Sequence, residues 1–237
     1  MEYTEVARAE SERGEIVLRQ RHGPDEAAES TADSAADAPV VLELRVNGIF
    51  VMDTAEISSE RGLATAALQR VENPGSVVVG GLGLGFTMHE VLADSRVEKL
   101  VVVELEDALV RWMRDGTVPH GPSYLADERL TVMTADIRVA MAEAPPAAYD
   151  LVLLDVDNGP GFLVYDDNAA IYERKFLDQT RRCLRPGGAL VIWSAAESSS
   201  LRTEMDEAFG NAVAIPYDVT LQDRAEQYWL YLARRSS

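Results

Sequence analysis

The sequence predicts an α/β chain: a doubly wound, seven-stranded sheet with a small antiparallel β unit ahead of it. Three observations carry this. Residues 76–86, SVVVGGLGLGF, are a β-branched run stopped by glycines, which reads as a buried strand turning sharply into a helix. From there short apolar runs alternate with helical patterns through five repeats, and two further strands follow. Such alternation implies a parallel sheet covered on both faces. Residues 40–53, VVLELRVNGIFVMD, alternate about Asn47-Gly48, the strongest short signal for a hairpin.

Taken in order, residues 15–21 (EIVLRQR) read as a strand. Residues 22–39 are acidic, rich in Ala and Ser and poor in bulky apolar side chains, the composition of a long mobile loop. With the hairpin they make an N-terminal unit, 1–57. The larger domain, 58–237, opens on a helix over 58–71 with capping serines and a Glu in its first turn, ended by Asn73-Pro74-Gly75. Strand 76–80 then leads to helix 87–93, and strand 99–104 to helix 107–115. Strand 130–133 leads to helix 137–142, strand 150–155 to helix 168–183, and strand 189–193 to helix 199–209. Strands near 212–217 and 226–233 close the domain. There is no internal repeat.

Composition narrows the function classes. The 237 residues are 47% hydrophobic, enough for one sizeable core. No run of about 18 apolar residues exists to span a membrane, and the acidic first 15 residues hold no apolar signal core. Cys183 is the single cysteine, which leaves neither a disulfide framework nor a zinc site; both facts suit the cytoplasm. With 22 basic and 40 acidic residues the net charge is −18. That disfavours nucleic acid, and it could either draw in a cationic substrate or serve solubility.

Three acids stand at strand ends. Glu104 follows the glycine turn by about 20 residues, where a carboxylate can accept from two ribose hydroxyls or serve as a helix N-cap or a solvated strand end. Asp136, with Ile137, follows the third strand of the domain. The Asp can accept from an adenine amino group while the next N–H donates to the ring, or it can cap a helix. Asp155 ends DLVLLD and opens DVDNGPGF, which also holds Asp157. A carboxylate there can act as general base toward an amine, or it can stabilise an Asp/Asn/Gly/Pro turn. Trp193 ends a strand, for core packing or ligand stacking. Tyr165 and Asp166-Asp167 lie in the loop after Asp155 and could cover a substrate or simply move. Tyr172 and Phe176 have core spacing. His89 and His120 receive no role.

GGLGLG, VVELE, the Ala-Asp of TADI, YDLVLLDVDNGP and LRPGGALVIW resemble the ordered motifs of the class I methyltransferase-like (Rossmann-like) fold that binds S-adenosylmethionine. They most resemble its spermidine synthase branch, the polyamine aminopropyltransferases. The stretch LELRVNGIFVMDTAEISSERGLA is similar to that family's N-terminal motif, so the resemblance covers residues 40–235. It implies that Gly81, Gly83 and Gly85 approach the nucleoside and its tail. It implies further that Glu104 and Leu105 hold the ribose, that Asp136 and Ile137 hold adenine, and that Asp155, with Asp157 beside it, deprotonates the attacking amine. The donor implied is decarboxylated S-adenosylmethionine or S-adenosylmethionine as co-substrate, with no metal. The acceptor is a small amine, methylthioadenosine is released, and the chain is a cytoplasmic homodimer.

The departures fall on the amine side. Leu82 or Leu84 stands where the family's glycine loop has an Asp. Val51 or Met52 replaces a glutamine, and residues near Glu60-Arg61 replace a Tyr-His pair. In the catalytic loop Asn158 replaces an Asp and Gly159 a Pro. Aminopropyl transfer is therefore the first expectation. Methyl or aminocarboxypropyl transfer is the second, and a non-catalytic nucleoside-binding homologue the third.

Overall fold

The computed structural model describes residues 2–22, 41–221 and 224–236. Contacts divide the chain into two units, Met1–Glu56 and Ile57–Ser237.

In the first unit four antiparallel strands pair in sequence order: β1 (Glu2–Ser11), β2 (Gly14–His22), β3 (Val41–Val46) and β4 (Ile49–Asp53). Strand β1 is an addition to the sequence reading. Its residues, EYTEVARAES, are mostly exposed and show no apolar alternation, so periodicity could not reveal it; pairing with β2 makes it. The Asn47-Gly48 turn is as expected, both residues having positive φ (51° and 75°). Asn47 does more than turn, because its side chain accepts from the Glu15 N–H and donates to the Arg13 carbonyl. Ile16, Leu18, Leu42, Leu44 and Met52 are buried. Of segment 22–39, expected to be mobile, His22 ends β2 and the rest lies outside the described residues.

In the second unit seven strands form one sheet. They are β5 (Ser76–Gly80), β6 (Lys99–Glu104), β7 (Leu130–Thr134), β8 (Tyr149–Leu154), β9 (Leu184–Ser194), β10 (Val213–Leu221) and β11 (Arg224–Arg234), in spatial order β10-β11-β9-β8-β5-β6-β7. Strands β7 to β9 through β5 and β6 are parallel, and β11 runs antiparallel to both β9 and β10. This is the doubly wound, seven-stranded architecture expected. Val77, Val78 and Val79 are fully buried, as are Leu151 to Leu154, which is why these strands read as continuous apolar runs. The strand order reverses between β5 and β8, and such a switch point opens a crevice at the carboxyl ends of the strands.

The helices are α1 (Ser58–Leu68), α2 (Phe86–Ala93), α3 (Asp107–Asp115), α4 (Gly121–Tyr124), α5 (Ile137–Glu143), α6 (Arg174–Cys183) and α7 (Ser199–Phe209). Three boundaries differ from expectation. The N-cap of α1 is Ile57, which makes no side-chain cap bond, while Ser59 turns to the Glu60 carboxylate. The helix expected over 168–183 is two pieces, because Glu173 is extended (ψ 153°) between a 3-10 helix, Asp166–Tyr172, and α6. Strand β9 begins at Leu184, absorbing Arg185-Pro186-Gly187-Gly188 as an irregularity in its pairing with β8.

Candidate active site

Backbone hydrogen bonds line up four strand tips. The Asp155 N–H donates to the Gly80 carbonyl (2.8 Å), Gly81 N–H to Val103 (2.9 Å) and Ala135 N–H to Glu104 (2.9 Å). Asp155, the glycine turn, Glu104 and Asp136 therefore follow one another along the rim across β8, β5, β6 and β7.

The glycines have reasons within the protein. Gly81 has φ +94°, and a Cβ there would lie 2.0 Å from the Asp155 carbonyl oxygen. What excludes a side chain is backbone, where the sequence suggested a ligand. The turn also takes up its own amides: Gly81 bonds to Val103, Gly85 to Leu82, and Leu82 donates to Glu104 Oε2 (2.8 Å). Gly83 has φ +50°. Gly85, at φ +88°, is the N-cap of α2. Leu82 and Leu84 are both buried. His120, assigned no role from sequence, braces this turn by donating from Nε2 to the Leu84 carbonyl (2.7 Å); Tyr124, stacked on His89 at 3.9 Å, flanks it.

Glu104 is buried, and its carboxylate accepts from the Leu82 and Glu106 N–H groups (2.8 and 2.7 Å). Burial raises its pKa, against the lowering effect of those donors. Leu105, beside it, is part-exposed. Asp136 caps α5 by accepting from the Arg138 N–H (2.7 Å) and also grips the Arg138 guanidinium (2.6 Å). The helix-cap reading of Asp136 is thus realised, and an adenine amino group would share this carboxylate with Arg138. The Ile137 side chain is buried in the core, which leaves only its backbone for a ligand.

Asp155 Oδ2 accepts from the Thr87 hydroxyl (2.9 Å). Burial pushes the Asp155 carboxyl up to about 6, with the Thr87 bond pulling the other way. Asp157 is buried, and its Oδ1 accepts from the Val164 N–H (2.7 Å) while Oδ2 has no partner among the described residues. Burial raises it also to about 6, opposed by Val164 and the Asn168 side chain. The Tyr172 hydroxyl is buried and has no partner among the described residues, and burial plus the charges of Asp157 and Asp155 hold it protonated well above its usual range. Burial thus raises the carboxyls of both Asp155 and Asp157, the direction that suits a group exchanging protons.

The loop after Asp155 is fastened. The Tyr165 hydroxyl donates to Glu106 Oε1 (2.9 Å), and Arg138 donates to the Asp167 carbonyl (2.8 Å). Gly159 has φ +97°, and a Cβ would meet Ser194 Oγ at 2.0 Å; proline, locked near −65°, could not take this path. Trp193 packs edge-on against Tyr228 at 5.0 Å, its indole N–H buried without a partner. Sequence reading missed Thr87, Glu106, Asn168 and the Tyr172 hydroxyl. Thr87 was flagged only by opening a helix two residues past Gly85, and Tyr172 was hidden by its core spacing.

A family model described as the spermine/spermidine synthase domain matches residues 56–213. Polyamine aminopropyltransferase 2 of Pseudomonas aeruginosa is 32% identical over 134 residues, 55% of this chain and 36% of that protein. Putrescine N-methyltransferase 3 of Nicotiana tabacum is 31% identical over 133 residues, 55% of this chain and 32% of that one. Spermidine synthase 1 of Pisum sativum is 31% identical over 161 residues, covering 67% and 45%. The matched stretch thus spans less than half the length of these curated relatives. A solved spermidine synthase with the transition-state analogue AdoDATO superposes with TM-score 0.78 at 15% identity, over 98% of this chain and 74% of that one. The Thermotoga maritima spermidine synthase gives 0.76 at 15%, over 98% and 73%. At that identity the likeness establishes the fold.

Proposed function

Because the chain belongs to the spermine/spermidine synthase family, we propose that it is a transferase moving an aminopropyl group from decarboxylated S-adenosylmethionine to a small amine, releasing methylthioadenosine. The observation that carries this reading is the row of acids along one rim, ending in Asp155, whose carboxylate accepts from the Thr87 hydroxyl beside the glycine turn. In this reading Gly81, Gly83 and Gly85 border the donor's tail. Glu104 and Leu105 take the ribose, and Asp136 and the Ile137 backbone take adenine. Asp155, aided by Asp157, accepts the amine proton. A sulfonium leaves readily, so the protein mainly aligns the reactants and removes that proton. No metal is required.

Transfer of a methyl group from S-adenosylmethionine itself is the second reading. It is favoured by the buried Leu82 and Leu84 in the glycine turn, which offer no acid to an aminopropyl ammonium, and by the putrescine N-methyltransferases among the relatives. Incubation of the full chain with each donor and a panel of putrescine, cadaverine and spermidine, followed by mass spectrometry, decides between them. Methylthioadenosine formed from the decarboxylated donor supports the first reading, and S-adenosylhomocysteine formed from S-adenosylmethionine the second. Neither product, with a nucleoside still bound in calorimetry, makes the chain a binding homologue. We further propose a cytoplasmic homodimer assembled through the N-terminal unit; a monomer mass in light scattering would remove the dimer.

A further inference from the structure

We propose that Thr87 is a positioning residue for the base: its hydroxyl holds one carboxylate oxygen of Asp155 so that the other is presented to the acceptor nitrogen. This rests on the reading of Asp155 as base. The Asp155 backbone is already tied down through its N–H to Gly80, so rotation of its side chain is the freedom left. Thr87 is buried at the start of α2 and places Oγ1 2.9 Å from Asp155 Oδ2. A hydroxyl has one proton to give. The other acceptor in reach, the Glu60 carbonyl, is farther at 3.4 Å and uncharged, and a bond to an ionised acceptor is the stronger. A threonine in a helix has two χ1 rotamers open to it, and the bond to Asp155 selects the one found here. Helix α2 also begins directly after Gly85, so one rigid element carries both the edge of the donor turn and the strut of the base.

The step balances without a further reagent. An N–H bond of the amine breaks and its proton goes to the free Asp155 oxygen. The nitrogen lone pair forms the new C–N bond, and the C–S pair stays on sulfur, turning a sulfonium into a neutral thioether. The ionisable groups facing Asp155 are Asp157, from the loop after β8, and Tyr172, from the 3-10 helix. Burial favours a protonated Asp155, and the phenol stays neutral. Thr87 is the donor that opposes protonation.

The test compares Thr87→Val, which keeps shape and loses the hydroxyl, with Thr87→Ser, which keeps the hydroxyl. The Asp155 carboxyl is titrated by carbon-13 NMR in the full chain, and turnover is measured with both sulfonium donors and putrescine across pH. We expect Val to move the Asp155 midpoint upward by about half a unit or more, shift the acid limb of kcat with it and lower kcat at pH 6.5 by about 3- to 10-fold. The KM for donor should be unchanged, and Ser should restore both. An unmoved midpoint, or a Ser variant as impaired as Val, overturns the proposal. The base assignment is tested apart by Asp155→Asn: full turnover there sinks that assignment whatever the Thr87 titration gives.

Discussion

The N-terminal sheet and the carboxyl rim of the seven-stranded sheet treat their acids in opposite ways, although elsewhere in the larger sheet buried Asp150 has Arg185 at 2.7 Å. In the N-terminal sheet Glu43 and Asp53 are each 1% exposed. Glu43 lies 2.6 Å from both Arg19 and Arg45, and Asp53 lies 3.1 Å from Arg21 and accepts from the Ala55 and Glu56 N–H groups. At the rim of the seven-stranded sheet Glu104, Asp155 and Asp157 receive amides and a hydroxyl but, among the described residues, no arginine or lysine. A buried charge left uncompensated costs several kcal/mol or shifts its pKa. The first sheet cancels the charge, and the rim lets it stand as a raised proton affinity. Asp136 lies between, a rim acid that has taken an arginine. The same chain can neutralise a buried carboxylate, so the absence of a cation beside Glu104, half-buried Asp155 and Asp157 among the described residues is consistent with the proposed placement of the base at this rim.

The contrast is broken most sharply at Asp155. Asp155→Asn should lower turnover by roughly 10²- to 10⁴-fold, the usual worth of a general base, while calorimetry finds nucleoside binding unchanged. Next comes Arg21→Met, which removes the cation and leaves Asp53 buried. Urea unfolding should show a loss of about 3 kcal/mol; a loss below about 1 would mean that the N–H groups alone hold the charge.

A third, smaller effect is in pH. Asp155 and Asp157 rise from 3.8 to about 6 on folding, so the folded chain binds their protons more tightly than the unfolded one. The stability they contribute is complete below about pH 4 and is lost as pH rises through about 6. Unfolding free energy should therefore fall between pH 4.5 and 7.5, and the Asp155→Asn/Asp157→Asn double variant should flatten that fall. If Asp155 is the proposed base, turnover measured as kcat against pH should rise across that interval.

The sequence revealed what backbone patterning controls. The apolar runs at 77–79 and 151–154, the Asn47-Gly48 turn and the strand-end acids Glu104, Asp136 and Asp155 each leave a local signal. What escaped it depends on partners far along the chain. Strand β1 is polar on both faces and exists by pairing with β2. Thr87 meets Asp155 across 68 positions, and Tyr165 meets Glu106 across 59. The break at Glu173 lies inside an unbroken helical pattern. The glycine turn was located correctly while the atoms that demand glycine were not, because the Asp155 carbonyl arrives at Gly81 only once β8 lies beside β5.

The smallest effect separates the two kinds of buried polar group most finely. The Tyr172 ring is part of the core beside Ile171, Phe176 and Leu177, yet its hydroxyl has no partner. A buried hydroxyl without a hydrogen bond costs about 1–3 kcal/mol, and phenylalanine would keep the packing. Tyr172→Phe should therefore stabilise the chain by about 1 kcal/mol, raising Tm by roughly 2–4 °C for a chain of this size. Such a gain would mean that the hydroxyl is kept for its nearness to Asp155 and Asp157 at the cost of stability, as functional sites often do. A fall in Tm would instead mean that the phenol is satisfied, as Glu43 is by its arginines, and would move Tyr172 to the structural side of the comparison.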